Sequence, residues 1–259
     1  MTRFHAVAAL VLAVSYVVAA AQPTAAARWV PPADTTWQIQ FSGNIDLSLN
    51  VDAFDLDMFD TTAKQVHRLH NGGKRAVCYI NAGAWEDWRP DAGRYPAAVK
   101  GKPLDGWPGE RWLDIRRLDV IGPILGDRLD KCDAKGFDGV EFDNVDGQSN
   151  STGFPLTKAD QLAFNRWLAD AAHARGLAVG LKNALSMAMQ LEPKFDFAIV
   201  EQCFYYRECG LTAPFTEAGK SVLVVEYDLS RSQFCDRARR IGVAAMRKHV
   251  SLDAWRRPC

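Results

Sequence analysis

The sequence predicts an α/β fold, a single (β/α)8 barrel of the TIM type, and three observations predict it. Short β-rich apolar runs alternate with helical stretches along the chain after residue 33, with no repeat, charge block or low-complexity linker. Several runs, such as Ser221-Val222-Leu223-Val224-Val225, are continuously apolar, as strands covered on both faces are. The length, 259 residues, suits one such barrel. A doubly wound open sheet shares the alternation, but no G-x-G-x-x-G follows a strand to supply its usual nucleotide site.

The first segment is expected to lie outside the barrel. Arg3 precedes an apolar run from Ala6 to Ala21, then Gln22-Pro23 and Thr24-Ala25-Ala26-Ala27. A basic start, a short apolar stretch and small residues describe a signal peptide. Both Ala19-Ala20-Ala21 and Ala25-Ala26-Ala27 fit its cleavage site. The expected organisation is a signal peptide over residues 1–27, a barrel domain over residues 28–259, and secretion. An uncleaved membrane anchor is the alternative, for which the run is short against a span of about 20 residues.

Eight strands are expected, at residues 37–41, 51–56, 75–80, 139–142, 177–181, 197–200, 222–225 and 243–246. The clearest helix covers residues 157–175. Thr157-Lys158-Ala159-Asp160 opens it in the manner of a capping box. Phe164, Trp167, Leu168, Ala171 and Ala172 then fall at i, i+3, i+4, i+7 and i+8 as one apolar stripe, and Gly176 follows as a stop. The same succession of helix, glycine and strand recurs before Gly73, Gly136, Gly219 and Gly242. Strand then helix about eight times is barrel grammar.

In an oxidising compartment the six cysteines can pair, in 15 ways that sequence alone does not separate. Cys203 with Cys209 comes first because the two flank one loop; Cys235 with Cys259 would pin the C-terminus; Cys78 and Cys132 remain. No C-x-x-C and no zinc-like histidine spacing is present, so disulfides outweigh a metal site, and no cofactor is expected. With 31 basic and 31 acidic side chains, nothing points to a nucleic-acid partner. No membrane partner is expected after signal cleavage, and a monomer is expected.

In a barrel the chemistry lies just past the C-terminal ends of the strands. Acids recur there: Asp55, Asp57 and Asp60; Glu86 and Asp87; Asp143 and Asp146; Glu201; Glu226 and Asp228. Aromatic residues sit nearby, among them Trp85, Trp88, Trp107, Trp112, Tyr205, Tyr206 and Tyr227. Carboxylates from different strands with aromatic platforms suit glycosidic bond cleavage, in which one acid protonates the leaving oxygen and another attacks or activates water. Glu141 and Asp143 share one strand face, and acids aimed into a barrel mouth are costly unless paired or used. Glu201, after Ala198-Ile199-Val200, repeats the argument. Plainer readings stand beside these. Asp55, Asp57 and Asp60 could be helix-start acids, and Trp107 and Trp112 could pack an inserted loop over residues 90–111. No G-x-S-x-G, H-E-x-x-H or P-loop is present.

Taken together the motifs resemble glycoside hydrolase family 114, the secreted endo-α-1,4-polygalactosaminidases. The resemblance rests on Val77-Cys78-Tyr79-Ile80 with Gly83, Glu86, Asp87 and Arg89; on Gly109-Glu110-Arg111-Trp112-Leu113-Asp114; on Gly136 through Asp146, which contains Glu141-Phe142-Asp143-Asn144; on Leu181-Lys182-Asn183; and on Glu201-Gln202-Cys203 with Glu226-Tyr227. It implies a (β/α)8 barrel that cleaves α-1,4-linked galactosamine polymers internally, with Asp143 as nucleophile and Glu201 as acid/base and with retention of configuration. Tyr79, Glu86, Asp87, Trp112, Asn144, Asp146, Lys182, Asn183, Tyr205, Glu226 and Tyr227 are the expected substrate contacts. Surplus acids would attract the ammonium groups of unacetylated units, in a salt-sensitive way. Lys182 either holds a catalytic carboxylate ionised or forms a buried structural pair with Glu141 or Asp143. Rival readings are a glycosidase for another polysaccharide, a barrel that only binds carbohydrate, and a metal hydrolase, which the scarcity of histidine disfavours. Asn150-Ser151-Thr152 is a glycosylation sequon, meaningful only in an organism that uses it.

Overall fold

The computed structural model describes residues 1–2 and 28–259. All but the first two residues of the expected signal segment lie outside the described residues. Eight strands run parallel in chain order: Trp37–Gln40, Ala53–Asp57, Arg75–Asn81, Gly139–Asp143, Ala178–Lys182, Phe197–Glu201, Val222–Glu226 and Ala244–Arg247. Each expected run is a strand. The structure extends seven of them, from the second through the eighth, by one residue at the C-terminal end. Asp143, Lys182, Glu201 and Glu226 therefore close their strands rather than follow them.

Each strand pairs with the next, but no ladder joins the first to the eighth among the described residues. Side chains and the C-terminal segment bridge that seam. Trp37 Nε1 donates to Ala244 O at 3.1 Å, Phe41 N–H to Leu252 O at 2.9 Å, and Arg256 to Trp37 O at 2.8 Å. The result is a (β/α)8 barrel with one seam not zipped by backbone bonds.

Two-residue alternation sorts the strand side chains. Ile39, Ala53, Val77, Phe197, Ile199, Leu223, Val225 and Met246 fill the barrel, while Phe54, Leu56, Ile80, Val140, Phe142, Val179 and Leu181 pack outward against the helices. Gly180 is needed here, because a Cβ would stand 2.5 Å from the Phe197 ring that fills the interior.

The longer helices are Ala63–Asn71, Leu118–Lys135, Lys158–His173 and Arg231–Ile241; Ala188–Leu191 and Ala213–Glu217 are short. The expected helix forms with Thr157 as N-cap and a reciprocal bond from Asp160, and it buries Phe164, Leu168 and Ala172. Gly73, Gly136, Gly219 and Gly242 all take positive φ where their helices stop. The repeat is incomplete, because a loop over residues 41–52 without a helix joins the first two strands. Disulfides link Cys78 to Cys132, Cys203 to Cys209 and Cys235 to Cys259. Among the described residues no helix is long and apolar enough to cross a membrane.

The segment expected as an inserted loop is a small antiparallel sheet. Ala84–Glu86, Glu110–Leu113 and Lys100–Pro103 form it, in that spatial order. It sits at the barrel mouth, held to the loop after the fourth strand by Lys102 N–H on Thr152 O at 2.8 Å. Gly83 makes the approach possible, since a Cβ there would fall 1.7 Å from Asn144 O.

Candidate active site

At the mouth of the barrel the fifth strand ends in Lys182, whose side chain is 3% exposed. Its Nζ lies 2.6 Å from Glu141 Oε1, 3.5 Å from Asp143 Oδ1 and 3.5 Å from Glu201 Oε2. One ammonium therefore serves carboxylates of the fourth and sixth strands together. Burial alone would favour loss of its proton, but the charges of Asp143, Glu141 and Glu201 outweigh this and hold Lys182 well above the usual lysine value. The two readings of Lys182 merge: it forms the buried pair with Glu141 and also bridges Asp143 and Glu201.

Asp143 and Glu201 are the part of this group that reaches the cleft, with side chains 22% and 26% exposed. The Tyr79 hydroxyl donates to Asp143 Oδ2 at 2.9 Å, and Asn144 N–H donates to Oδ1 at 2.9 Å. The Tyr227 hydroxyl donates to Glu201 Oε1. Asn183 accepts from Glu201 N–H at 2.9 Å and offers Nδ2 to Oε2 at 3.3 Å. Burial first, then the charge of Asp143, raises the Tyr79 phenol; burial first, then Glu201, raises that of Tyr227. Both hydroxyls keep their protons for these bonds.

The backbone turns sharply beyond three strand ends. Asn144, Asn183 and Gln202 take φ of 59°, 49° and 56°. Non-glycine residues in this left-handed region cost energy and cluster at working sites. Asparagine tolerates it best among ordinary side chains, which accounts for Asp-Asn and Lys-Asn at the two strand ends.

Beneath Lys182 lies Asp55, 2% exposed, on the second strand. Neither of its oxygens meets a nitrogen or hydroxyl of the described residues, and Glu141 Oε2 is likewise unmet. Asp55 faces the Glu141 carboxyl, so the hydrogen bond between them needs a proton. Burial first, then the Glu141 charge, drives Asp55 well above the usual carboxylate range, which makes it the protonated partner. The helix-start reading of Asp55 is thus wrong, because the strand continues to Asp57 and Thr62 caps the helix. Asp57 accepts the N–H groups of Phe59 and Asp60 at 2.8 and 3.0 Å and pairs with Arg89.

The cleft above has a volume of about 850 Å³. Tyr79, Trp112, Asn144, Asp146, Lys182, Asn183 and Tyr227 line it with Asp143 and Glu201, as expected. The inserted sheet forms one wall with Trp107 and Glu110, and Val250 and Leu252 close the seam side. Trp107 is 52% exposed, so it faces the cleft instead of packing the insert. Burial, then the charge of Asp143, raises the Asp146 carboxyl.

Four expected contacts do not line the cleft. Glu86 is buried behind the insert, 2.7 Å from Arg89. Asp87 lies on the sheet's edge, where its N–H bonds Gly109 O. Tyr205 projects from the Cys203–Cys209 loop, edge-on to Tyr206. Glu226 sits on the face of Val222 and Val224, opposite Tyr227, and accepts Phe204 N–H at 2.8 Å. Burial raises the Glu226 carboxyl to about 7 despite that bond. Glu110 was not foreseen as a site residue, nor was Asp55 as part of the floor. Among the described residues no group of three or more His, Cys, Asp or Glu side chains is placed to hold a metal.

Comparison with known proteins places this arrangement. The model of glycoside-hydrolase family GH114 matches residues 18–259. The crystal structure of Aspergillus fumigatus Ega3 in complex with galactosamine is similar at a TM-score of 0.86 and 36% identity, covering 92% of this chain and 100% of that one. The glycoside hydrolase domain of PelA from Pseudomonas aeruginosa shares the fold at a TM-score of 0.68 and 15% identity, over 86% of this chain and 97% of that one. An uncharacterised protein of Deinococcus radiodurans is 27% identical over 262 residues, 84% of this chain and 81% of that protein.

Proposed function

The chain belongs to glycoside-hydrolase family GH114, and from that premise we propose that it cleaves internal α-1,4 linkages of a galactosamine-containing polysaccharide by a retaining double displacement. It is a glycoside hydrolase like its relative Ega3, which was crystallised with galactosamine. The observation that carries the catalytic assignment is the shared ammonium: Asp143 and Glu201 are the cleft carboxylates that Lys182 holds at 3.5 Å each.

In this reading Glu201 donates a proton to the leaving glycosidic oxygen while Asp143 attacks C1, which forms a glycosyl ester and frees the shortened chain. Glu201 then takes a proton from water, which attacks C1, restores the Asp143 carboxylate and leaves the original configuration. Lys182 fits both halves. When Asp143 loses its charge to the ester, the ammonium is left for the Glu201 carboxylate created by proton donation. The Tyr227 hydroxyl serves either state of Glu201, since it both donates and accepts. Retention calls for carboxyls about 5–5.5 Å apart, against about 6.5–9.5 Å for inversion. Two oxygens that each lie 3.5 Å from one nitrogen stand at most twice that apart, a bound that admits the retaining distance and so supports this reading. Trp107 and Trp112 supply faces for sugar rings. The three disulfides support the secreted reading, with residues 1–27 as signal and residues 28–259 as the enzyme domain.

The test is incubation of the purified protein with partly deacetylated α-1,4-galactosaminogalactan. Mid-sized oligosaccharides whose first-formed reducing ends are α by proton NMR are expected. Binding without release, or β products, would overturn the hydrolytic or the retaining part respectively.

A further inference from the structure

Glu110 differs from the other acids around the cleft. It lines the cleft from the inserted sheet, yet is only 8% exposed. Its Oε2 accepts Asn81 Nδ2 at 2.9 Å. Its other oxygen takes no hydrogen bond from the described residues, and no described Lys, Arg or His forms a salt bridge with it. Glu86 has Arg89 at 2.7 Å, and Asp143 and Glu201 have Lys182. The charged and titratable groups facing Glu110 are Glu86 on its own sheet, Tyr79 on the third strand and Asp143 on the fourth, with Arg89 beyond Glu86. Burial first, then the charges of Glu86 and Asp143, pushes its carboxyl up to about 7. A nearly buried carboxyl with one oxygen open, in a field of like charge, is a receptor awaiting a cation.

Its position says which cation. Asn81 pairs in register with Asp143, so the Glu110 carboxyl sits one strand across from the carboxylate that faces C1. The ring carbon bonded to C1 is C2, and a 2-amino sugar carries its nitrogen there. We propose that Glu110 receives the C2 ammonium of the sugar unit whose C1 faces Asp143, and so makes the enzyme select free-amine over N-acetylated units at that position. The inference rests on the galactosamine reading above. An acetylated nitrogen is neutral and would leave the carboxylate buried without its counter-charge.

The experiment compares wild type, Glu110→Gln and Asp146→Asn on fully deacetylated and fully N-acetylated polymer. Glutamine keeps the Asn81 bond, and unfolding midpoints establish that each variant is folded. Loss of a hydrogen bond to a charged group predicts a fall in kcat/KM of about tenfold or more for Glu110→Gln on the amine polymer, carried mainly by KM. On the acetylated polymer Glu110→Gln is expected to exceed wild type, because the neutral amide removes the uncompensated carboxylate. Wild type needs no mutation for a second readout: kcat/KM on the amine polymer should fall as pH drops through about 7, where Glu110 takes up its proton, and Glu110→Gln should lack that limb. Equal selectivity in Glu110→Gln and wild type, or loss of selectivity in Asp146→Asn alone, would overturn the proposal and leave the hydrolase reading standing. No cleavage of either polymer by wild type would overturn both.

Discussion

Two groups of buried charge lie side by side in this barrel and are built on different principles. Behind the inserted sheet, Arg89 meets Asp57 at 2.6 Å and Glu86 at 2.7 Å, and Arg128 holds Asp91 through two bonds of 2.8 and 2.9 Å. There Asp57 and Asp91 each take a guanidinium in forked geometry, Glu86 shares Arg89 through one contact, and the group is nearly closed to solvent. At the mouth, Lys182 alone is shared by Glu141, Asp143 and Glu201, and Asp55 is accommodated only by keeping its proton. Two guanidiniums for three carboxylates fasten the insert to the barrel. Surplus carboxylate, partly open to a cleft, is what the proposed reaction at C1 would use. The count of cations thus separates holding from working more sharply than proximity to a strand end does.

The comparison breaks first where the guanidinium group is mutated. Arg89→Met strands Asp57 and Glu86 in the interior and should cost about 3–5 kcal/mol in urea unfolding, while the folded fraction keeps its activity. A small stability loss with a large activity loss would mean that the two groups are not separate. Next comes Tyr227→Phe, which deletes a hydroxyl on Glu201 without touching the wall. It should lower kcat by the equivalent of about 1.5–3 kcal/mol and leave the unfolding midpoint nearly unchanged. The smallest effect is expected from Asp55→Asn, since an amide imitates the protonated acid; near pH 4 it should shift stability by about 1 kcal/mol or less. Because the folded-state value of Asp55 is raised, the native protein holds a proton that the unfolded chain releases above the ordinary Asp range. Wild type should therefore lose stability relative to Asp55→Asn as pH rises from the ordinary Asp value towards the raised folded-state value. Parallel curves would show that Asp55 is ionised in the fold.

Much of this was legible in the residues. Short β-rich runs, several of them continuously apolar, marked all eight strands, and the positive-φ glycines marked the helix ends. Asp143 and Glu201 stood out because they close such runs, and both line the cleft. Glu226 also closes one, and there the rule failed: counting in twos from Val222 puts Glu226 on the helix side and Tyr227 in the cleft. Glu86 misled because its partner Arg89 is three residues on, and nothing local says that the two turn inward together. The inserted sheet left little trace. Its strand Lys100–Pro103 carries glycine and proline in place of an apolar alternation, so Glu110 could not be assigned a face. Asp55 was hidden by its neighbours, since Asp55, Asp57 and Asp60 together look like the start of a helix.

The most direct test measures initial rates of oligosaccharide release from one polymer preparation for Asp143→Asn, Glu201→Gln, Glu86→Gln and Glu226→Gln, all shown to be folded. The account predicts that the first two lose at least about 10²–10⁴-fold, the range that groups acting on the reacting bond supply, and that the last two stay near wild type. Retained activity in Asp143→Asn or Glu201→Gln, or an equal loss in Glu86→Gln or Glu226→Gln, would contradict it.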